Sequence, residues 1–265
     1  MNNQDKKVIE VENGCHMGDQ FINFMFFTQI KEFLEKENIY IKYYCWPQYH
    51  ANLHDFNPSN NISIHSLQEP YKKKYYELWQ GGHIGQIAPI HIKNVLEDLL
   101  VFMFNNFLKN YNLNISVNNW IYENIKIKDW YNNLDTNLKD IDILIVNSSP
   151  RSGQYRYDKP LWDRYIQKLN SSCKIATTEF VSNEVISLHT YNLKDITAIS
   201  INVKYIIAIN TGPLLPLFNT YTLNNVKKIY IFGGNFKHCK TICNPQSIAN
   251  CILDISNREN GVIFN

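Results

Sequence analysis

Two short stretches carry side chains that could do chemistry, and both sit in the same kind of place. The first is Asn13-Gly14-Cys15-His16-Met17-Gly18-Asp19, which follows the β-like run Lys6–Glu12. A carboxylate displayed where a strand gives way to a helix can take a proton from a hydroxyl as a general base. It can equally be a helix N-cap that accepts N–H bonds from the first turn. Asp19 fits both descriptions. Gly14 and Gly18 let the turn approach a ligand closely, and His16 reads either as an orienting group or as an ordinary turn residue. The second stretch is Asn210-Thr211-Gly212-Pro213, after the apolar run Lys204–Ile209. Gly212 permits close backbone approach, Pro213 suits a first helical turn, and a helix N-terminus attracts a diphosphate. The same four residues also make a plain strand-to-helix turn.

Other candidates lie near these two. Ser148 and Ser149 end the apolar run that starts at Asp142, where their hydroxyls can donate to phosphate or be solvated loop groups. Arg156 and Lys159 place cations before the helical stretch Pro160–Asn170, and Lys159 reads either as a phosphate ligand or as a surface lysine. Gly81-Gly82-His83 ends a further run, Tyr75–Gln80, so His83 joins the residues that could line a site in the first half. The Asn13–Asp19 turn lacks the third glycine of a dinucleotide fingerprint and a placed acidic residue for the ribose, which argues against a nicotinamide cofactor. Cys239 and Cys243 beside His238 have no second close pair to complete a zinc set. His50 and His54 have helical ligand spacing but lie between Pro47 and Pro58 in what reads as a loop. No metal site is expected.

The elements that must position these residues follow from hydrophobic period. Strands are expected at Lys6–Glu12 and Ile39–Cys45, with a helix over Asp19–Asn38 between them. A polar loop follows to about Asn61, then strands near Ile62 and Tyr75, and a helix from Pro89 to Tyr111. The pattern weakens over 112–137, which reads as a linker. A second series of strands and helices begins at Asp142 and ends in a helix opened by Asn244-Pro245. Alternating strands and helices mean parallel sheets with right-handed crossovers. The expected fold is therefore α/β, with two facing Rossmann-like domains over 1–137 and 138–265.

The bulk numbers agree with a globular chain. Its 265 residues are 45% hydrophobic, ample for packed cores. The net charge of +2 is small and dispersed, so no nucleic-acid footprint is present. The basic run Tyr71–Tyr76 reads as a solvated loop or edge. No apolar stretch is long enough to span a bilayer or serve as a signal peptide. Six scattered cysteines fit free thiols in a reducing compartment, so a cytoplasmic setting is expected.

Taken together, these stretches resemble the GT-B glycosyltransferases, in particular the heptosyltransferase-like group of glycosyltransferase family 9. Val8–Leu34 has the form of that group's opening strand, Gly-Asp turn and helix, with Gly18-Asp19 at the matching place. Residues 140–240 follow the order of its second domain: the opening strand, the phosphate loop with a lysine, a Trp-containing helix, and the donor turn at Asn210–Pro213. The strand Ile229–Phe232 ahead of Gly233 matches the next one. Two positions depart from the family turn: its Asp is Asn210 and its His is Leu215. The backbone N–H groups of Thr211 and Gly212 depend on neither side chain.

The resemblance implies metal-independent, inverting transfer of a sugar from a nucleotide-activated donor to a hydroxyl of a glycan or lipid-linked glycan. It implies no cofactor beyond the donor, and peripheral membrane contact is compatible with it. Asp19 would be the base. Gly14, His16, Gly18 and His83 would lie on the acceptor side. Ser148, Ser149, Arg156, Lys159, Asn210, Thr211, Gly212 and Pro213 would hold the donor. Two alternatives stay open: a sugar-nucleotide epimerase or hydrolase of the same fold, and a non-catalytic nucleotide- or carbohydrate-binding protein.

Overall fold

A computed structural model describes residues 6–70, 72, 74–78, 96–118, 123–124, 126–149, 157–170, 173–232 and 239–243. His83, Arg156, Gly233-Gly234 and the helix expected from Asn244 lie outside these residues. The chain divides into two compact units, residues 1–124 and 125–265.

The first unit begins with β1 (Lys7–Glu12), α1 (Met17–Lys36) and β2 (Ile39–Cys45). A short 3-10 helix (Pro47–Tyr49), α2 (His50–Phe56), β3 (Ile62–Ser66), β4 (Tyr76–Glu77) and α3 (Leu96–Asn110) complete it. The four strands form a parallel sheet in the order β3-β2-β1-β4. Burial along β2 alternates strictly, so Ile39, Ile41, Tyr43 and Cys45 face a core while Tyr40, Lys42 and Tyr44 are half-buried on the other face. Helix α1 covers the buried face. Its first half is enclosed on all sides, from Gln20 to Phe27, with Phe24 edge-on to Tyr43 at 5.2 Å and Phe26 stacked on Phe104 of α3 at 4.3 Å. The helix ends because Asn38 takes a positive φ of 52°, a conformation that asparagine tolerates, and the chain turns straight into β2.

The second unit contains α4 (Lys126–Asn132), α5 (Thr136–Lys139), β5 (Ile143–Val146), α6 (Lys159–Asn170), β6 (Ile175–Thr177) and β7 (Ile186–Ser187). It continues with α7 (Leu193–Ser200), β8 (Tyr205–Ile209), a 3-10 helix (Gly212–Leu217), α8 (Thr220–Asn225), β9 (Lys228–Phe232) and β10 (Cys239–Cys243). The strand order is β10-β9-β8-β5-β6-β7, parallel except for β10. Here burial is continuous: Ile143, Ile145, Ile207 and Ile209 pack with Trp162 and Ile166 of α6, while Leu144, Val146, Ile206 and Ala208 are buried on the opposite face.

Three local expectations need correction. The polar stretch before Asn61 holds a 3-10 helix and α2, because Leu53 and Phe56 bury against α1, with Phe56 edge-on to Phe21 at 4.8 Å. Within the expected linker, α4 and α5 form on single buried anchors, Ile127 and Leu138. The second sheet is not wholly parallel: β10 returns antiparallel on β9 and occupies the edge.

Candidate functional site

In each sheet the strand order reverses at one place, and ligands of doubly wound folds bind outside the carboxyl ends of the strands there. In the first unit that place lies between β1 and β4. The turn Asn13–His16 leaves β1 here, and Glu77 ends β4 beside it. In the second unit it lies between β5 and β8, whose ends carry Asn147–Ser149 and Asn210–Gly212. Of the residues singled out in the sequence, Asn13–His16, Ser148, Ser149 and Asn210–Gly212 thus follow strands that flank a reversal point, each within its own unit.

The first turn is held from three directions. Gln20 of α1 donates to the carbonyls of Asn13 and Cys15, both at 3.0 Å. The Trp46 indole donates to the Gly14 carbonyl at 2.8 Å. The Asn13 side chain accepts from the Cys15 N–H at 2.9 Å. Beneath the turn, Tyr43 donates to Gln20 at 2.5 Å and accepts from Asn23 at 2.9 Å. These bonds fix the geometry of the turn, although Asn13 Nδ2 and Asn23 Oδ1 are buried without a partner among the described residues.

Asp19 is not the N-cap. His16 occupies that position, and Asp19 is the third residue of the helix, its carboxylate accepting the His16 N–H at 3.0 Å in a capping box. Its own backbone N–H also acts on the carboxylate, and lone pairs remain for another partner. Burial raises the Asp19 pKa above its ordinary 3.8; the His16 hydrogen bond and the His16 charge act the other way without cancelling it. A half-buried carboxylate of raised proton affinity is suited to general-base work. Cys15, beside it, is pushed up to about 11, first by burial and then by the negative charges of Asp19 and Glu77. Gly14 and His16 lie in the turn before α1, and Gly18, like Asp19, lies in the first turn of the helix.

Glu12 escaped the sequence reading. It is fully buried, and its carboxylate accepts the N–H groups of Lys74 at 3.0 Å and Tyr75 at 2.9 Å, fastening the approach to β4. Its place in the alternation Ile9-Glu10-Val11-Glu12 predicts an outward side chain. The backbone that binds it is 62 and 63 residues away, so no local signal existed.

In the second unit Asn147, fully buried, joins the ends of β5 and β6. Its side-chain oxygen accepts from the Glu179 N–H at 3.0 Å and from the Thr178 hydroxyl at 3.2 Å, and its own N–H donates to Thr178 at 3.0 Å. Ser148 hydrogen-bonds Thr178 at 3.0 Å, and Ser149 is exposed. Lys159 opens α6 and donates to Asp163 at 2.6 Å and to the Phe180 carbonyl at 2.9 Å. An ammonium has three hydrogens, so among the described residues one is left without a partner. Asn147 and Thr178 were missed as site residues; the break from four buried apolar residues to a polar one at Asn147 was the available signal.

The turn after β8 differs from expectation in one respect. Gly212–Leu217 is a six-residue 3-10 helix, not the start of an α-helix, because Pro216 interrupts it. The following α-helix starts at Thr220 and is capped by Asn219, whose side chain accepts the Thr222 N–H at 3.0 Å. The expected helix-dipole contribution is correspondingly small here. Asn210 is tied to β9 through its N–H and the Phe232 carbonyl at 2.9 Å, and Asn210, Thr211, Gly212 and Pro213 are all partly exposed.

No protein-family profile matches the sequence, and no curated protein matches it. Solved structures do match. The E. coli heptosyltransferase WaaC with ADP-2-deoxy-2-fluoro heptose aligns with a TM-score of 0.54 at 12% identity, covering 82% of this chain and 86% of that one. The same enzyme with ADP gives 0.52 at 12% identity, over 82% and 85%. The E. coli ADP-heptose lps heptosyltransferase II gives 0.50 at 8% identity, over 95% and 100%. With two sheets, each ordered about a reversal point and flanked by helices, the chain has the α/β fold of the GT-B heptosyltransferases.

Proposed function

We propose that this protein is a glycosyltransferase that moves a sugar from a nucleotide-activated donor to a hydroxyl of a glycan acceptor, with inversion and without a metal. The observation that carries the proposal is Asp19. In a fold shared with heptosyltransferases, a half-buried carboxylate of raised proton affinity stands on the first turn, at the reversal point of the first sheet. Asp19 takes the acceptor proton as the new carbon–oxygen bond forms, a contribution of about 10²–10⁴ in rate. Gly14, Gly18, His16 and His83 belong to the acceptor side.

The leaving nucleotide diphosphate gathers negative charge. Lys159, through its remaining hydrogen, Arg156, and the N–H groups of Thr211 and Gly212 stabilise it. Asn210, Pro213, Ser148 and Ser149 complete the donor site. We place the reaction in the cytoplasm, with a nucleotide sugar as donor; ADP-linked sugars are the first to test, given the ligands of the structural neighbours.

The test has two steps. A thermal-shift screen of nucleotides and nucleotide sugars, with and without magnesium, should give a selective, magnesium-independent rise; a ligand at about a hundred times its Kd adds roughly 2.7 kcal/mol. Turnover with the selected donor should then fall by about 10²–10⁴ in Asp19→Asn while donor binding is kept. Full turnover in that variant would return Asp19 to a capping role. A second reading, a non-catalytic nucleotide- or carbohydrate-binding protein, is favoured by Asn210 and Leu215 standing where the resembled family has Asp and His; ligand binding without any turnover would select it.

A further inference from the structure

We infer that Ser148 meets its ligand as a hydrogen-bond acceptor, taking the hydrogen of a ribose or sugar hydroxyl, and does not donate to phosphate. The inference rests on the donor-site reading above and specifies which part of the donor Ser148 touches.

It follows from an inventory of hydrogens. The Glu179 N–H, which can only donate, lies 3.0 Å from Asn147 Oδ1 and so fixes which end of that amide is oxygen. The Asn147 N–H, likewise a donor only, lies 3.0 Å from Thr178 Oγ1 and occupies one of its two lone pairs. The Thr178 hydroxyl has a single hydrogen and two neighbours that could receive it: Asn147 Oδ1 at 3.2 Å and Ser148 Oγ at 3.0 Å. The amide oxygen can only accept; the serine hydroxyl can do either. Giving the hydrogen to Ser148 would leave two lone-pair-bearing oxygens 3.2 Å apart with nothing between them. Giving it to Asn147 satisfies both, and the second lone pair of Thr178 then receives the Ser148 hydrogen.

One consistent arrangement results. Thr178 donates once and accepts twice, and Ser148 has spent its only hydrogen inward. Asn147 is 0% exposed and Thr178 7%, so bulk water does not compete for these bonds. Ser148 itself is half-buried at the end of β5, and with its hydrogen given to Thr178 its oxygen has lone pairs left to accept with. A phosphate oxygen brings lone pairs too and gains nothing there. A hydroxyl brings a hydrogen. Nucleotide sugars carry hydroxyls on the ribose and on the transferred sugar, and these are the two sources to separate.

Calorimetric titration of the 265-residue chain and of its Ser148→Ala variant with pyrophosphate, ADP and ADP-heptose tests this. Pyrophosphate affinity should be unchanged within about twofold, whereas loss of one hydrogen bond should weaken a hydroxyl-bearing probe by roughly five- to tenfold. A loss already present with ADP assigns the ribose; a loss only with ADP-heptose assigns the transferred sugar. Equal weakening of pyrophosphate, or no weakening of any probe, overturns the inference. If none of the three binds the unsubstituted protein, it is the donor-site reading that fails. Neutron diffraction of the ligand-free protein then decides the inference: the deuterium between Ser148 and Thr178 should belong to Ser148, and finding it on Thr178 overturns it.

Discussion

At Asp19 burial acts against the charged carboxylate, and stability must register it. Its pKa is raised in the folded chain, so between pH 3.8 and that higher value the folded protein holds a proton that the unfolded chain has released. Stability therefore falls as pH rises through this window and levels off above it. Asp19→Asn keeps an oxygen for the His16 N–H but carries no charge. Calorimetric melting at a series of pH values should show the variant more stable than the parent at pH 7, with the advantage shrinking to nothing as pH falls toward 3.8. Cys15 reports on the same charge. Its thiol, held up to about 11, should alkylate slowly with iodoacetamide at pH 8.5. In Asp19→Asn the thiol pKa drops because one of the two nearby carboxylates is gone, and peptide mass spectrometry should find Cys15 modified faster.

At the scale of elements, the network beneath the first turn is what keeps Asp19 in place. Tyr43→Phe removes the hydroxyl shared by Gln20 and Asn23 and leaves both amides buried without it. The expected cost is about 1–3 kcal/mol, read as a lower Tm, with faster hydrogen exchange at Cys15 and His16 than at the centre of α1. These couplings mark where the sequence stops being legible. Strands β1, β2, β5 and β8 could be read because alternation or continuous apolar runs declare which faces are buried. Helix α1 could be read except at its start: an aspartate one turn into a helix and an aspartate at its cap look alike until the backbone is traced. Helices α2, α4 and α5 were hidden because each is seven residues or shorter and is held by one or two anchors, not by its own periodicity. Of the site, the turns were legible from glycine, proline and serine at strand ends. The partners that orient them were not, since Thr178 lies 31 residues from Asn147, and Tyr75 lies 63 from Glu12.

For the whole molecule, each unit has its own buried core, and stability need not be a single quantity. Trp162 is fully buried among Ile143, Ile145, Ile207 and Ile209, with Phe232 edge-on at 5.0 Å. Trp162→Ala should cost about 3–5 kcal/mol within the second unit alone. Calorimetry should resolve a transition displaced to lower temperature, while exchange protection of the amides in α1 and β2 is retained. Loss of protection in both units at once would mean that they unfold as one.

The contrast between the two sheets has a consequence for how freely the sequence can drift. In β2 every second side chain is half-buried: Tyr40 and Lys42 meet side chains at the surface, Lys6 and Glu10, whereas Tyr44 is stacked on Tyr75 at 4.3 Å and on His65 at 5.1 Å. In β5 all four residues are buried, and in β8 four of five. Substitutions should therefore be tolerated at Tyr40 and Lys42 of β2 and hardly anywhere along β5 and β8. Part of β2 is free to wander, while β5 and β8 are spelled almost without slack.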